Sequence, residues 1–568
     1  MAAPWRLVEP NRVVLGAVTK SGPLAWALSR AGGLLTGGGR VHAIEAIGLS
    51  RGMVKYFGLF FGYVNSLSRL KRADTELVIL RTAWNCGSYY EWYQHVFVSG
   101  LSRLSVDDVE RVALGPSAPG WDGRQQALLA AVDELIADRC LSDDTWARLR
   151  EHYDSRQLDD LCMLAGLYAM LAMVLNSVAA EPEPGAWQRW PFSRLRRAGD
   201  AERVLTDLIP SESIARTSAN PPVPPVPGAH NATAAPNVIS RLEASPHFRS
   251  AGPARIRIGA FRDVGPLTWT LSRVGGFFTR TGQVAAADAI GMDQRMMRHY
   301  LPFAVKLVLG SQLTRTDTEL ATLRTTWNAG VRYEWYYHAH FSRLSGVSPE
   351  TVERVAAGPD ADGWNDRQRG LLTAVDELHA DRIISTETWD CLRTWYGERE
   401  LASLGLLVGH YEMLAMLFKS FGVEPEPGAF EAWPLSLMRR PDDSDRLMPS
   451  VLPAFNRAFT NKAAAPFAGR LPLLGVVAHT GRRSGHMYRT PVLVLRDKHT
   501  VMIPLPYGDA TDWVRNVLAA GGAELRCRGR SLRLTNPMVV DRTGSDDLGL
   551  PARLASRVVK VLVADAGA

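Results

Sequence analysis

Glu91 and His95 stand four residues apart, and Glu334 and His338 repeat the pair 243 positions later. Residues at that spacing share one face of a helix, so each carboxylate projects beside its imidazole. A carboxylate next to a histidine holds the ring's tautomer and raises its basicity, which suits a general acid or base near neutral pH. Trp84 and Ser88 join the first face at helical spacing, and Trp327 and Val331 join the second. The same spacing also suits an ion pair that only ties neighbouring helices together, and spacing alone leaves both readings open.

A second group of reactive side chains lies near the C-terminus, in Thr480, Gly481, Arg482, Arg483, Ser484 and Gly485. Glycines free backbone amides to point at an anion, and arginines add charge and forked donors. Taken alone, an exposed basic hairpin has the same composition.

The elements that carry these residues are duplicated. Trp26 matches Trp269, Glu91 matches Glu334, His95 matches His338 and Glu181 matches Glu424, always 243 residues apart. Between Asp74 and His95, 15 of 22 positions are identical to the span from Asp317 to His338. Each copy ends in Glu-Pro-Glu-Pro-Gly, where alternate prolines stop a helix. Within a copy the apolar periodicity is helical, with Asp74, Ser105 and Asp122 placed to begin helices. Each copy therefore reads as an all-helical domain, over residues 1–195 and 253–440. The Pro- and Ala-rich stretch over 196–252 reads as an extended, partly disordered linker. Over 450–545 the period shortens to β-rich runs at Leu474 to Ala478, Val492 to Leu495, Thr500 to Ile503, Glu524 to Cys527 and Ser531 to Leu534. One helix, Thr511 to Ala520, interrupts them. A small β-barrel is expected there, followed by a C-terminal tail over 546–568.

Composition narrows the function. The 568 residues are 46% hydrophobic and 22% charged, as in a globular protein. The net charge of +7 is scattered, so no nucleic-acid partner is expected. Five dispersed cysteines without a C-x-x-C pair argue against a disulfide framework and a zinc cage, and point to a reducing cytoplasm. The longest apolar run, Leu161 to Leu175, is shorter than a membrane span needs, and its counterpart contains His410 and Glu412; both are expected to be core helices. His340, His379, His410 and Glu412 occur only in the second copy, and their spacing matches no compact ligand motif, so no metal is expected. Arg124 and Arg367 are expected to pair with Asp133-Glu134 and Asp376-Glu377.

Asp-Thr-Glu-Leu, Leu-Arg-Thr, Tyr-Glu-Trp-Tyr-x-His and the segment from Gly100 to Glu110 resemble the carboxymuconolactone decarboxylase family across most of both copies. That family includes thiol peroxidases resembling alkylhydroperoxidase D, whose redox cysteines fall four and seven residues before the matching histidine. Here those positions hold Glu91 and Ser88, and Glu334 and Val331. The resemblance therefore implies the cysteine-free branch: an all-helical fold, a homo-oligomer, and proton transfer on a small carboxylated lactone or related compound by Glu91, His95, Glu334 and His338. A non-catalytic oligomerisation scaffold is the alternative, and a peroxidase is disfavoured by the missing thiols.

His479-Thr-Gly-Arg-Arg-Ser-Gly, Arg489-Thr-Pro-Val, Tyr507-Gly and Asp512-Trp-Val-Arg-Asn516 resemble, in order and spacing, the deazaflavin-dependent nitroreductase and quinone reductase family. This implies an FMN-binding-like split β-barrel and the deazaflavin coenzyme F-420, with FMN as the alternative cofactor. Thr480 to Gly485 would hold the anionic tail, and Pro491, Tyr507, Trp513 and Asn516 would shape the pocket. An oxidoreductase passing hydride to a quinone, nitro or enone acceptor is the implied function. Two departures are Arg483, where lysine is common, and the lack of any tyrosine after Tyr507.

Overall fold

The computed structural model describes residues 12–188, 261–279, 281–426, 428–430, 474–482, 484–496, 500–505, 511–527, 529–540 and 560–567, with isolated positions elsewhere. The chain is an α plus β multidomain protein: a large helical N-terminal region followed by an antiparallel sheet domain. It divides into two compact units, Met1–Asp443 and Ser444–Ala568. Both copies lie within the first unit, and most of the expected linker lies outside the described residues.

Eight helices build the two sites: α1 (Met53–Ser66), α2 (Arg72–Asn85), α3 (Tyr89–Val98), α4 (Ser155–Ser177), α5 (Gln294–Leu309), α6 (Arg315–Asn328), α7 (Arg332–Phe341) and α8 (Glu398–Phe421). Local chemistry sets their ends. Asp154 caps α4 by accepting from the Arg156 and Gln157 amides, and Thr314 caps α6 through the Asp317 amide. Asp74, expected as a cap, instead lies in the first turn of α2, and its buried carboxylate takes Arg124 and the Tyr153 hydroxyl. Gly87 and Gly330 have φ of 61° and 60°, the left-handed region that glycine adopts without strain. These two glycines reverse the chain sharply, so that α3 and α7 fold back along α2 and α6.

Helices α4 and α8 meet at the centre of the unit. Both are long and apolar enough to cross a membrane, yet that apolar window is wholly buried inside the protein in each. They cross where Gly166 faces Met413 and Gly409 faces Met170, and a Cβ on either glycine would stand 2.5 Å from the opposing methionine. These contacts exchange partners between copies, as two-fold related surfaces do. Other contacts repeat the symmetry. Arg12 donates to the carbonyls of Ser177 and Ile384, and Arg255 to those of Ser420 and Leu141. Helices α1 and α5 close the same interface through Phe60 and Phe303, whose rings stack at 5.3 Å.

The described residues of the second unit form a seven-stranded antiparallel sheet: β1 (Leu474–Thr480), β2 (Met487–Leu493), β3 (Leu495–Arg496), β4 (Thr500–Pro504), β5 (Gly522–Cys527), β6 (Arg530–Val540) and β7 (Val561–Gly567). Its order is β2-β1-β5-β6-β7-β4-β3, and α9 (Asp512–Ala519) packs against it through Val514 and Val517. The final strand corrects the expected C-terminal tail. β7 pairs Val561 to Val540 and Val563 to Met502, so the far end of the chain is built into the middle of the sheet.

Candidate functional site

The glutamate that orients each histidine is not the neighbour four residues away. Glu76 Oε2 lies 2.8 Å from His95 Nδ1, and Glu319 Oε2 lies 2.9 Å from His338 Nδ1. Both glutamates are fully buried on the preceding helix, and each is also gripped by an arginine one turn earlier, Arg72 or Arg315, at 2.6 Å. A carboxylate on Nδ1 leaves the proton there and turns the lone pair of Nε2 toward a third group. That group is a tyrosine of the central helix: Tyr168 in the first copy and Tyr411 in the second, each 3.0 Å from Nε2. Burial alone would push the Glu319 carboxyl up, but His338 and Arg315 outweigh it and hold the group below the usual carboxylate range. Sequence reasoning missed Glu76 and Glu319, although both sit in the duplicated Asp-Thr-Glu-Leu stretch and differ by the same 243 positions.

Glu91 and Glu334 do sit on the face of their histidines, and there the copies part. Glu334 Oε2 approaches His338 Nε2 to 3.7 Å, whereas Glu91 forms no ion pair among the described residues. Burial raises the Glu91 carboxyl well above its usual range, relieved only by the Ser88 hydroxyl. Burial also raises Glu334, with His338 pulling the other way. The tyrosines differ too. Asn65 competes with His95 for the Tyr168 hydroxyl at 2.7 Å, while Val308 takes the place of Asn65 in the second copy.

The histidines private to the second copy go to separate places. His410 Nε2 meets the Tyr300 hydroxyl at 2.8 Å, His340 packs on Phe430, and His379 Nδ1 meets Glu412 at 2.5 Å. Glu412 also pairs with Arg139 of the first copy, and Arg382 stands 4.0 Å away. Among the described residues no three His, Cys, Asp or Glu side chains gather as metal ligands.

The expected partners of Arg124 and Arg367 are corrected. These arginines hold Asp74 with Tyr153 and Asp317 with Tyr396, while Asp133 and Asp376 go to Arg81 and Arg324 at 2.6 Å. Burial raises the Cys86 thiol to about 11, which leaves it almost wholly protonated at neutral pH.

In the sheet unit, Thr480 ends β1, and the turn is closed by Gly481 and Gly485 amide bonds of 2.8 and 2.9 Å. A Cβ on Gly481 would meet Ser484 Oγ at 2.5 Å, and Gly485 has a φ of 67°. Asn516 is buried and organises the neighbourhood. Its Oδ1 accepts from the Arg482 amide at 3.2 Å and from Arg482 Nη1 at 3.0 Å, and its amide nitrogen lies 3.2 Å from His479 Nδ1. Asp512 closes on Arg482 from outside at 3.1 Å. Ser484 lies 3.1 Å from the Tyr488 hydroxyl, Pro491 pairs opposite Val476 in β2, and Trp513 packs on the sheet core. Arg483 and Tyr507 lie outside the described residues. Compared with models of known families and with curated proteins, the chain matches none.

Proposed function

We propose that the helical unit is a proton-transfer enzyme acting on a small carboxylated lactone or related carbonyl acid, in keeping with its resemblance to carboxymuconolactone decarboxylases. One observation carries the reading: the buried line from Glu319 through His338 to Tyr411, with Glu334 beside the imidazole Nε2. Burial makes Glu334 a stronger base than a solvated carboxylate, while His338 beside it favours the ionised form that accepts the proton. Glu319 and Tyr411 fix the imidazole so that it need not reorganise during transfer. Glu334→Gln and His338→Gln are expected to lower turnover of a carboxylated γ-lactone by about 100-fold or more, with the oligomer mass by light scattering unchanged. Unchanged turnover with altered mass would favour the scaffold instead.

For the sheet unit we infer hydride-transfer chemistry with a deazaflavin coenzyme, FMN being the alternative. The residues present suit an anionic cofactor tail: a glycine-framed turn that a side chain would clog, two hydroxyls at Thr480 and Ser484, and the Arg482 guanidinium. The coenzyme supplies the hydride when bound, and the chain supplies binding and orientation. Asp512 now occupies part of Arg482, so the two should act in opposite directions on affinity. Arg482→Ala is expected to weaken deazaflavin binding by about 1.5–3 kcal/mol, and Asp512→Ala to strengthen it. Fluorescence titration reads both; no response to either change would remove the turn from the binding site.

A further inference from the structure

The second copy contains a polar pair that the first replaces with carbon. Tyr300 on α5 and His410 on α8 meet at 2.8 Å with their rings nearly parallel, and both are buried. The equivalent first-copy positions are Phe57 and Leu167. His410 directly precedes Tyr411, and their rings lie 5.0 Å apart, so the pair adjoins the Tyr411, His338 and Glu334 group.

Proton placement gives this pair its direction. Burial presses the His410 imidazole down to about 3, so it is neutral and carries a single N–H. Its Nδ1 has no hydrogen-bond partner among the described residues. A proton on Nδ1 would be a buried donor with nothing to receive it, whereas a proton on Nε2 makes a hydrogen bond to the Tyr300 oxygen. With Nε2 donating, the Tyr300 hydroxyl proton is left to serve another acceptor, and His410 is the one hydrogen-bond partner found for that hydroxyl among the described residues.

We propose that Tyr300 is a further catalytic residue of the second copy, donating a hydrogen bond to the carbonyl oxygen of the substrate, and that His410 is the positioning residue that aims it. The proposal rests on the acid–base reading of Glu334 given above. In the step concerned, the C–H bond next to the carbonyl breaks and its proton passes to the Glu334 carboxylate. The electron pair moves to the carbonyl oxygen as an enolate, which the Tyr300 O–H stabilises while keeping its own proton. Reversal returns a proton to carbon. The first copy has no such donor, so this chemistry belongs to the second copy alone.

The test uses the full chain and paraconate, a γ-lactone carrying one carboxylate, in deuterium oxide, with exchange of the carbon-bound proton followed by NMR. Tyr300→Phe and His410→Leu each lower the exchange kcat by about 100-fold with KM little changed, the loss typical of one oxyanion donor. The double variant is no worse than either single one, and His410→Gln, which can still donate to the Tyr300 oxygen, recovers most of the rate. Phe already fills the matching position in the first copy, and an unchanged urea midpoint checks that Tyr300→Phe folds. Exchange that is lost in Glu334→Gln but kept within about threefold in Tyr300→Phe overturns this proposal alone, against the loss expected of a donor. Exchange that is absent in the parent, or indifferent to Glu334→Gln, removes the acid–base reading and this proposal together.

Discussion

Replacing Glu412 by alanine is expected to destabilise the helical unit by about 3–5 kcal/mol, as removal of one partner from a buried ion pair does. Glu412 is fully buried and serves Arg139, His379 and, more distantly, Arg382. The two arginines are themselves buried and repel each other; burial and Arg382 together lower the Arg139 guanidinium to about 10. They hold the two copies together by reaching across, Arg139 to the His379 carbonyl at 2.6 Å and Arg382 to that of Ile136 at 2.9 Å. Without the carboxylate, both charges remain in the interface with no counter-charge. Urea denaturation followed by tryptophan fluorescence measures this well, because every tryptophan except Trp513 precedes residue 444. Adding Arg139→Met to Glu412→Ala should restore part of the loss, since an apolar replacement for a buried pair is often neutral while Arg382 still lacks a counter-charge. A single substitution that shifts stability by less than about 1 kcal/mol would show that water reaches the cluster.

The second large effect depends on pH. Asp159 and Asp160 are buried at the start of α4, and Asp293 of the second copy is buried near them. The Tyr63 hydroxyl donates to Asp293 at 2.6 Å and Arg69 pairs with it; against the opposing effect of burial, these bonds hold Asp293 below the usual range. Asp160 receives the Arg69 amide at 2.6 Å, but burial first and Asp293 second raise it to about 7. Burial, Asp160 and Asp293 raise Asp159 well above its usual value. Arg69 and Arg295 are the cations facing this group. A folded pKa above the unfolded one means that the native state binds more protons between the two values, so the contribution of Asp160 to stability falls as pH rises from about 4 through 7. Buried His379 and His410 act in the opposite sense over part of that range, being held neutral while the unfolded chain takes up protons. The comparison must therefore be made against Asp160→Asn. That variant should gain on the parent by roughly 3–4 kcal/mol between pH 4 and pH 8, by linkage. A gap that stays constant across this range would mean that Asp160 does not titrate there.

Some of this was legible in the sequence for definite reasons. Constant register between the copies marked the helical repeats, and apolar periodicity with Ser105 and Asp122 caps placed their helices. The turn signals around Thr480 to Gly485 divided β1 from β2 where the strands are found. β7 was lost because Val561 to Ala564 is a short apolar run at the chain end, with no alternation or partner hairpin to mark it as a strand. The Nδ1 partner of each histidine was missed because spacing reports only neighbours on one helix, as Glu334 is to His338. Glu76 and Glu319 lie nineteen residues before their histidines and arrive by the reversal at Gly87 and Gly330. Asp293 and Asp160 lie further apart still, and only the packing of the copies shows that they meet.

The lone Glu412 between two arginines has one more implication. Two separate, identical chains meeting about a two-fold axis would bring either two such glutamates or none, since symmetry duplicates every side chain. An uneven composition at the axis requires non-identical halves, and a peptide connection guarantees that each half always finds the other, however dilute the protein. Covalent tethering thus lets one half discard a charge that its twin supplies, and makes each half dependent on the other for neutrality at their common centre.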